Sequence, residues 1–203
     1  PTMSSDCSAY CQARKRQSLR WIRQVFRLSS QSLAQVPMPW PFNQVVTMAD
    51  ATSTHVSDTP ATRKIFGQPS GQRPGCGLPV MKIMGLFHMA TGAAMELNFG
   101  WTNASELKLF YRLWRRLAAG GLVVADRNFG NFMTVAGLAQ RGVDCVLRVN
   151  QARNVVWRAR TRRLGKRDAL FTWSKPSRCP WMPKSVQRTL PPTLLVRVFE
   201  HTL

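Results

Sequence analysis

A mixed α/β sheet flanked by helices is the architecture predicted by this sequence of 203 residues, and three observations point to it. Leu122-Val123-Val124-Ala125 is a continuous apolar run of the kind found in strands buried on both faces, and it ends in Asp126. Asn131 to Arg141 has helical spacing closed by Gly142, and Val143 to Val149 follows as a further strand, so strand, helix and strand form a right-handed crossover unit. Gln44 to Ala49 is an earlier β-prone run that ends at Asp50 and passes into the small polar residues Ala51-Thr52-Ser53-Thr54. Two strands thus terminate in carboxylates.

The other elements follow in chain order. From Gln12 to Gln35, Leu19, Ile22, Phe26 and Leu33 recur at helical spacing, with Arg16, Arg20, Arg23 and Arg27 mostly off that stripe. This predicts one basic amphipathic helix, either a solvated helix on the core, a DNA-contacting one, or one docked on a membrane surface. Pro37-Met38-Pro39-Trp40-Pro41 forbids continuation and sets a boundary. Residues 57–79, with four Pro and four Gly, predict a long irregular loop. Val80 to Ala90 and Ala93 to Phe99, separated by Thr91-Gly92, predict a hairpin. Asn103 with Glu106 three residues on is an N-cap pattern, and Leu107, Phe110, Trp114, Leu117 and Ala118 make one helical face until Gly120-Gly121. Beyond it, Val155 to Ala159, Ala169 to Trp173 and Leu194 to Phe199 predict short strands.

Composition bounds the function. Twenty-nine Lys and Arg against nine Asp and Glu give a formal charge of +20, which makes nucleic acid the default partner. The excess is +5 over residues 1–41, +5 over 42–150 and +10 over 151–203, and the chain divides there into a basic helical segment, a globular core and a basic β-rich tail. No run reaches the roughly 18 apolar residues that span a bilayer, so no membrane association through a span is expected. The five cysteines are odd in number and unevenly spaced, with no signal peptide before them, which fits a reducing cytoplasm. Cys7 and Cys11 are four apart but lack a second pair at zinc-finger spacing, and His55, His88 and His201 are scattered. Ser53 and Ser57 near His55 lack a nucleophile elbow, and Gly71 to Gly77 lacks the Gly-Lys-Ser/Thr ending of a phosphate loop.

Asp50 and Asp126 are the candidate metal-binding residues. If their strands lie side by side and parallel, both carboxylates emerge at the sheet edge where α/β proteins bind ligands. Such a pair suits Mg²⁺, which takes one or two carboxylates plus substrate phosphates, and two ions about 4 Å apart support in-line displacement at phosphorus. Either Asp can also serve merely as a turn or cap residue. The tail adds Arg158, Arg160, Arg162, Arg163, Lys166 and Arg167, interleaved with Trp157, suited to tracking a phosphate backbone. Trp157, Trp173 and Trp181 serve a small core more often than a base platform.

The stretches Asp50 to Pro60 and Phe66 to Pro79, the run Gly85 to Ala93, and the blocks Ala125-Asp-Arg-Asn-Phe129 and Leu138 to Arg148 resemble, in order, the conserved blocks of bacterial insertion-sequence transposases with a DDE domain. The resemblance spans roughly Cys11 to Phe199. It implies a ribonuclease-H-like mixed sheet, with Asp50 and Asp126 as the first two metal-binding acids and a two-ion Mg²⁺ (or Mn²⁺) site. It further implies residues 151–203 as the start of a β-rich insertion. Arg127 beside the second acid is suited either to offset phosphate charge or to form only a local salt bridge. The implied reaction nicks the element's end with activated water and then directs the freed 3′-hydroxyl onto target DNA. The implied partners are element-end and target DNA, bound by a homodimer at the bacterial nucleoid. Position 51 is Ala where the family usually has Gly. The family's third acid, a Glu within Tyr, two residues, Arg, three residues, Glu, six residues, Lys, has no counterpart here, and Glu200 lacks those neighbours. With its start at Pro1, the chain is expected to be a fragment of such a transposase. A non-catalytic nucleic-acid-binding protein and an inactive transposase remnant stay open.

Overall fold

The computed structural model describes residues 7–34, 44–69, 71, 73, 76–150, 153 and 155–200. They form a mixed α/β fold with a five-stranded sheet, flanking helices and a smaller three-stranded sheet. The Pro37–Pro41 boundary lies outside the described residues.

Two helices, α1 (Cys7–Arg16) and α2 (Leu19–Ala34), replace the single helix expected over Gln12 to Gln35. The break has a local cause: the Ser18 hydroxyl accepts from the Trp21 N–H at 3.1 Å and caps α2 afresh. Next come β1 (Val46–His55) and α3 (Pro60–Phe66). Helix α3 corrects the long loop expected over residues 57–79. Thr59 and Thr62 form a reciprocal capping box, Pro60 occupies the first turn where its missing N–H costs nothing, and Gly67 at φ +70° ends the helix. Strands β2 (Val80–His88) and β3 (Ala94–Gly100) form the expected antiparallel hairpin.

Helix α4 (Glu106–Leu113) is capped by Ser105, whose side chain accepts from the Lys108 N–H, and not by Asn103. It ends earlier than its apolar stripe suggests, passing into a 3-10 turn at Trp114–Arg116. Strand β4 (Leu122–Ala125), helix α5 (Phe132–Gln140), capped by Asn131, and strand β5 (Asp144–Leu147) form the expected strand, helix, strand unit, with β4 and β5 parallel. The sheet order is β3-β2-β1-β4-β5.

One face of this sheet is the core. Ala49, Met84, Leu86 and Val123 are buried beneath α4 and α5, whose Leu109, Phe110, Phe132, Met133 and Ala136 are buried with them. Gly137 admits the Trp114 ring: a Cβ there would lie 2.4 Å from a ring carbon. The other face is open. Met48 and Val146 are 43% and 47% exposed, so the strands are not buried on both faces as the apolar run of β4 suggests. Outside the sheet, α2 packs along β3 through half-buried Phe26, with Arg27 facing Glu96 at 3.8 Å. Its Leu19, Ile22 and Leu33 stay largely exposed.

The second sheet is antiparallel, ordered β6 (Arg162–Gly165), β7 (Asp168–Ser174), β8 (Thr193–Phe199), with α6 (Lys184–Thr189) before β8. Val155 to Ala159 is a 3-10 turn at Trp157–Ala159 in place of the expected strand, and β6 forms after it. Its inner residues Ala169, Phe171, Trp173 and Val198 join the main core cluster. On this sheet Arg197 donates to both carboxylate oxygens of Asp168, at 2.9 and 2.6 Å, and these bonds hold the Asp168 carboxyl below its ordinary range. A depressed carboxyl stabilises the fold above its unfolded pKa and loses that contribution as pH falls through the folded value. Asp168→Asn should therefore leave an unfolding curve less sensitive to acid below about pH 4, measured by urea titration at pH 3 to 6.

Candidate metal and DNA site

Strands β1 and β4 run parallel, with Val46–Ala49 in register with Leu122–Ala125. Asp50 and Asp126 are each the next residue, so the two carboxylates occupy one row on adjacent strands, which lie about 4.8 Å apart. The period of two puts both on the open face, with Met48 and Val124. Asp50 does not terminate its strand, however. β1 continues to His55 against β2, with Asp50 opposite Gly85, because Thr52 and Thr54 are β-compatible and Val80 to Met84 supply a partner. The small polar residues that follow Asp50 therefore belong to the strand, mostly exposed. Asp126 does follow the end of β4 and opens a 3-10 turn at Arg127–Phe129.

The row extends one strand further. Leu147 pairs with Ala125 and the Arg148 N–H donates to the Ala125 carbonyl at 3.4 Å, which brings Arg148 beside Asp126. Sequence reasoning did not single out Arg148, although the rule that found the two acids, a polar residue just past a parallel strand, applies to it equally.

Charge pairing sets Asp50 and Asp126 apart. Asp58 pairs with Arg63, Glu96 with Arg27 and Arg116, Glu106 with Lys82, Asp168 with Arg197 and Glu200 with Arg167. Asp144 accepts from Gln44 at 2.9 Å. Asp50 and Asp126 are exposed and have no side-chain partner among the described residues. In a chain with 29 cations, two like charges in adjacent positions have been left unneutralised. Arg127 is exposed and forms no ion pair among the described residues.

The basic residues of the tail are only partly free. Arg160 donates to the Trp157 carbonyl at 2.8 Å, Arg163 to the Gly165 carbonyl at 3.1 Å, and Arg167 pairs with Glu200 while lying 5.5 Å over the Trp157 ring. Arg158, Arg162 and Lys166 are exposed and make no ion pair among the described residues. The tryptophans belong to the core: Trp157 packs edge-on against Phe171 at 5.8 Å, Trp173 is buried, and Trp181 meets Tyr111 and Trp114.

Among the described residues no three His, Cys, Asp or Glu side chains converge to hold a metal ion. The Cys7 side chain lies outside them. Burial, and then Asp144, pushes the Cys145 thiol up to about 11, which leaves it inert. No helix among the described residues is long and apolar enough to cross a membrane.

Comparison with known proteins finds no matching family and no curated protein of significant similarity.

Proposed function

We propose that this chain carries the first two acids of a ribonuclease-H-like DDE transposase centre, serving metal-dependent DNA strand cleavage and transfer. The observation that supports it most is the pair Asp50, on β1, and Asp126, just past the parallel β4, neither with a side-chain partner among the described residues. The sheet order β3-β2-β1-β4-β5, with only β2 antiparallel to its neighbours, is compatible with that fold.

The donor set fits a hard divalent cation. Two exposed carboxylates supply two oxygens, and Mg²⁺ fills its remaining positions with water and substrate phosphate oxygens. When bound, Mg²⁺ or Mn²⁺ would polarise phosphate oxygens and offset their charge. Asp50 and Asp126 would hold it, and Arg127 and Arg148 would draw a phosphate to the same row. The third carboxylate of such a centre is not among the described residues.

DNA is the proposed partner, held first by charge. Within the basic run 158–167, Arg158, Arg162 and Lys166 make no ion pair among the described residues, so replacing all three with Ala should lower the slope of log affinity against log salt by up to about 3. Fluorescence anisotropy on a short duplex at several salt concentrations measures it. A chain that only binds nucleic acid shows the same salt dependence but gains nothing from Mg²⁺. The proposed centre predicts tighter DNA binding in Mg²⁺ or Mn²⁺ than in EDTA at matched ionic strength, and equal binding in both would refute it.

A further inference from the structure

The turn that carries Asp126 is fixed to α4 by two contacts. Phe129, at its end, is 2% exposed and packs edge-on against Phe110 at 5.1 Å. Asn128, in its middle, donates through Nδ2 to Glu106 Oε2 at 2.8 Å, one helical turn before Phe110 on α4. Glu106 sits in the first turn of α4, where the helix dipole favours a carboxylate, and its other oxygen faces Lys82 Nζ at 3.6 Å. Lys82 is on β2, opposite Ser53 of β1, three residues beyond Asp50. One short chain of polar contacts therefore links the strand next to Asp50, the start of α4 and the turn of Asp126.

These contacts leave the site's own groups untouched. Glu106 takes up Lys82 and Asn128, and neither reaches Asp50 or Asp126, which keep their oxygens unoccupied. A 3-10 turn of three residues has little intrinsic rigidity, and Phe129 alone fixes only its far end. The Asn128 amide supplies the second anchor.

We infer that Glu106 and Asn128 are positioning residues that set the place of Asp126 relative to Asp50, with Lys82 orienting Glu106. The inference rests on the proposed metal-binding role of the two aspartates and adds two residues to which that role assigns nothing. Outer groups of this kind contribute about 10- to 100-fold to metal affinity when they orient a ligand.

The test is Mn²⁺ binding to the whole chain, read from the free-ion electron paramagnetic resonance signal, so it needs no enzymatic activity. Asn128→Ala and Glu106→Ala should each weaken Mn²⁺ binding by about tenfold. The double variant should be no weaker than either single one, because both remove the same bond. Glu106→Gln keeps an oxygen acceptor for the Asn128 amide and should restore most of the affinity. Circular dichroism and thermal unfolding of each variant show whether the fold is kept. Wild-type affinity in a folded Asn128→Ala, with binding lost in Asp126→Asn, overturns the positioning role and spares the metal site. No Mn²⁺ binding by the wild type, or binding unchanged in Asp126→Asn, overturns the metal site and the inference together.

Discussion

Asp50→Asn or Asp126→Asn is expected to remove Mn²⁺ binding and the Mg²⁺-dependent part of DNA affinity, while metal-free DNA affinity and thermal stability stay nearly unchanged. Both side chains are exposed and lack protein partners among the described residues, so neither substitution breaks a contact. Asparagine keeps the size and one carbonyl oxygen but removes the charge that a hard divalent cation requires. It also relieves repulsion between neighbouring carboxylates, so stability should hold or rise slightly. Strand cleavage should be lost in both variants wherever the wild type shows it. Calorimetric titration with Mn²⁺ and anisotropy with and without Mg²⁺ read the two effects, and a drop in melting temperature would show that the acids serve the fold instead.

Phe110→Ala is expected to cost about 3–5 kcal/mol, the largest stability loss of any single truncation considered. The ring is completely buried on α4, edge-on to Trp114 at 5.9 Å and to Phe129 at 5.1 Å. Truncation removes the transfer free energy of the ring and leaves a cavity that the neighbouring strands and helices cannot close. Phe129 belongs to the turn after Asp126, so the loss should also reach the site. A folded Phe110→Ala variant should show weaker Mn²⁺ binding together with its lower urea midpoint. A change below 1 kcal/mol would mean that the core of α4 is not packed as described.

The strand, helix, strand unit from Leu122 to Leu147 was legible because a four-residue apolar run, an Asn cap and a closing Gly each carry a local signal. The hairpin of β2 and β3 was legible for the same reason. What the sequence concealed depended on partners distant in the chain. Residues 51–54 read in isolation as a small polar stretch beyond the strand's end and are strand because β2 pairs with them. The open face of the sheet could not be read from Leu122 to Ala125, since an apolar run does not say how many layers cover it. Helix α3 was missed in a Pro- and Gly-rich stretch although Thr59-Pro60 is a helix start signal, because the count of breakers outweighed the cap.

The candidate site was half legible. Asp50 and Asp126 stand out in a chain poor in acids, and their adjacency follows from a parallel pairing that β-strand ends suggest. Glu106 was read only as part of a helix cap, and Asn128 and Arg148 were given no role, because their roles depend on register and on a helix start meeting a turn 22 residues away. The arginines of the run 158–167 are exposed, yet Arg160, Arg163 and Arg167 are engaged locally, which composition cannot show.

In the proposed centre Asp50 and Asp126 share one divalent cation, which iron-directed cleavage of the protein backbone would locate. Fe²⁺ substitutes for Mg²⁺ at oxygen sites, and with ascorbate and peroxide it releases hydroxyl radicals that cut the chain near the bound ion. Mass spectrometry of the fragments should find cuts beside residues 50 and 126 together, suppressed by excess Mg²⁺ and absent in Asp50→Asn. Cuts at only one of the two positions, cuts elsewhere that excess Mg²⁺ removes, or no cuts at all would contradict a shared site.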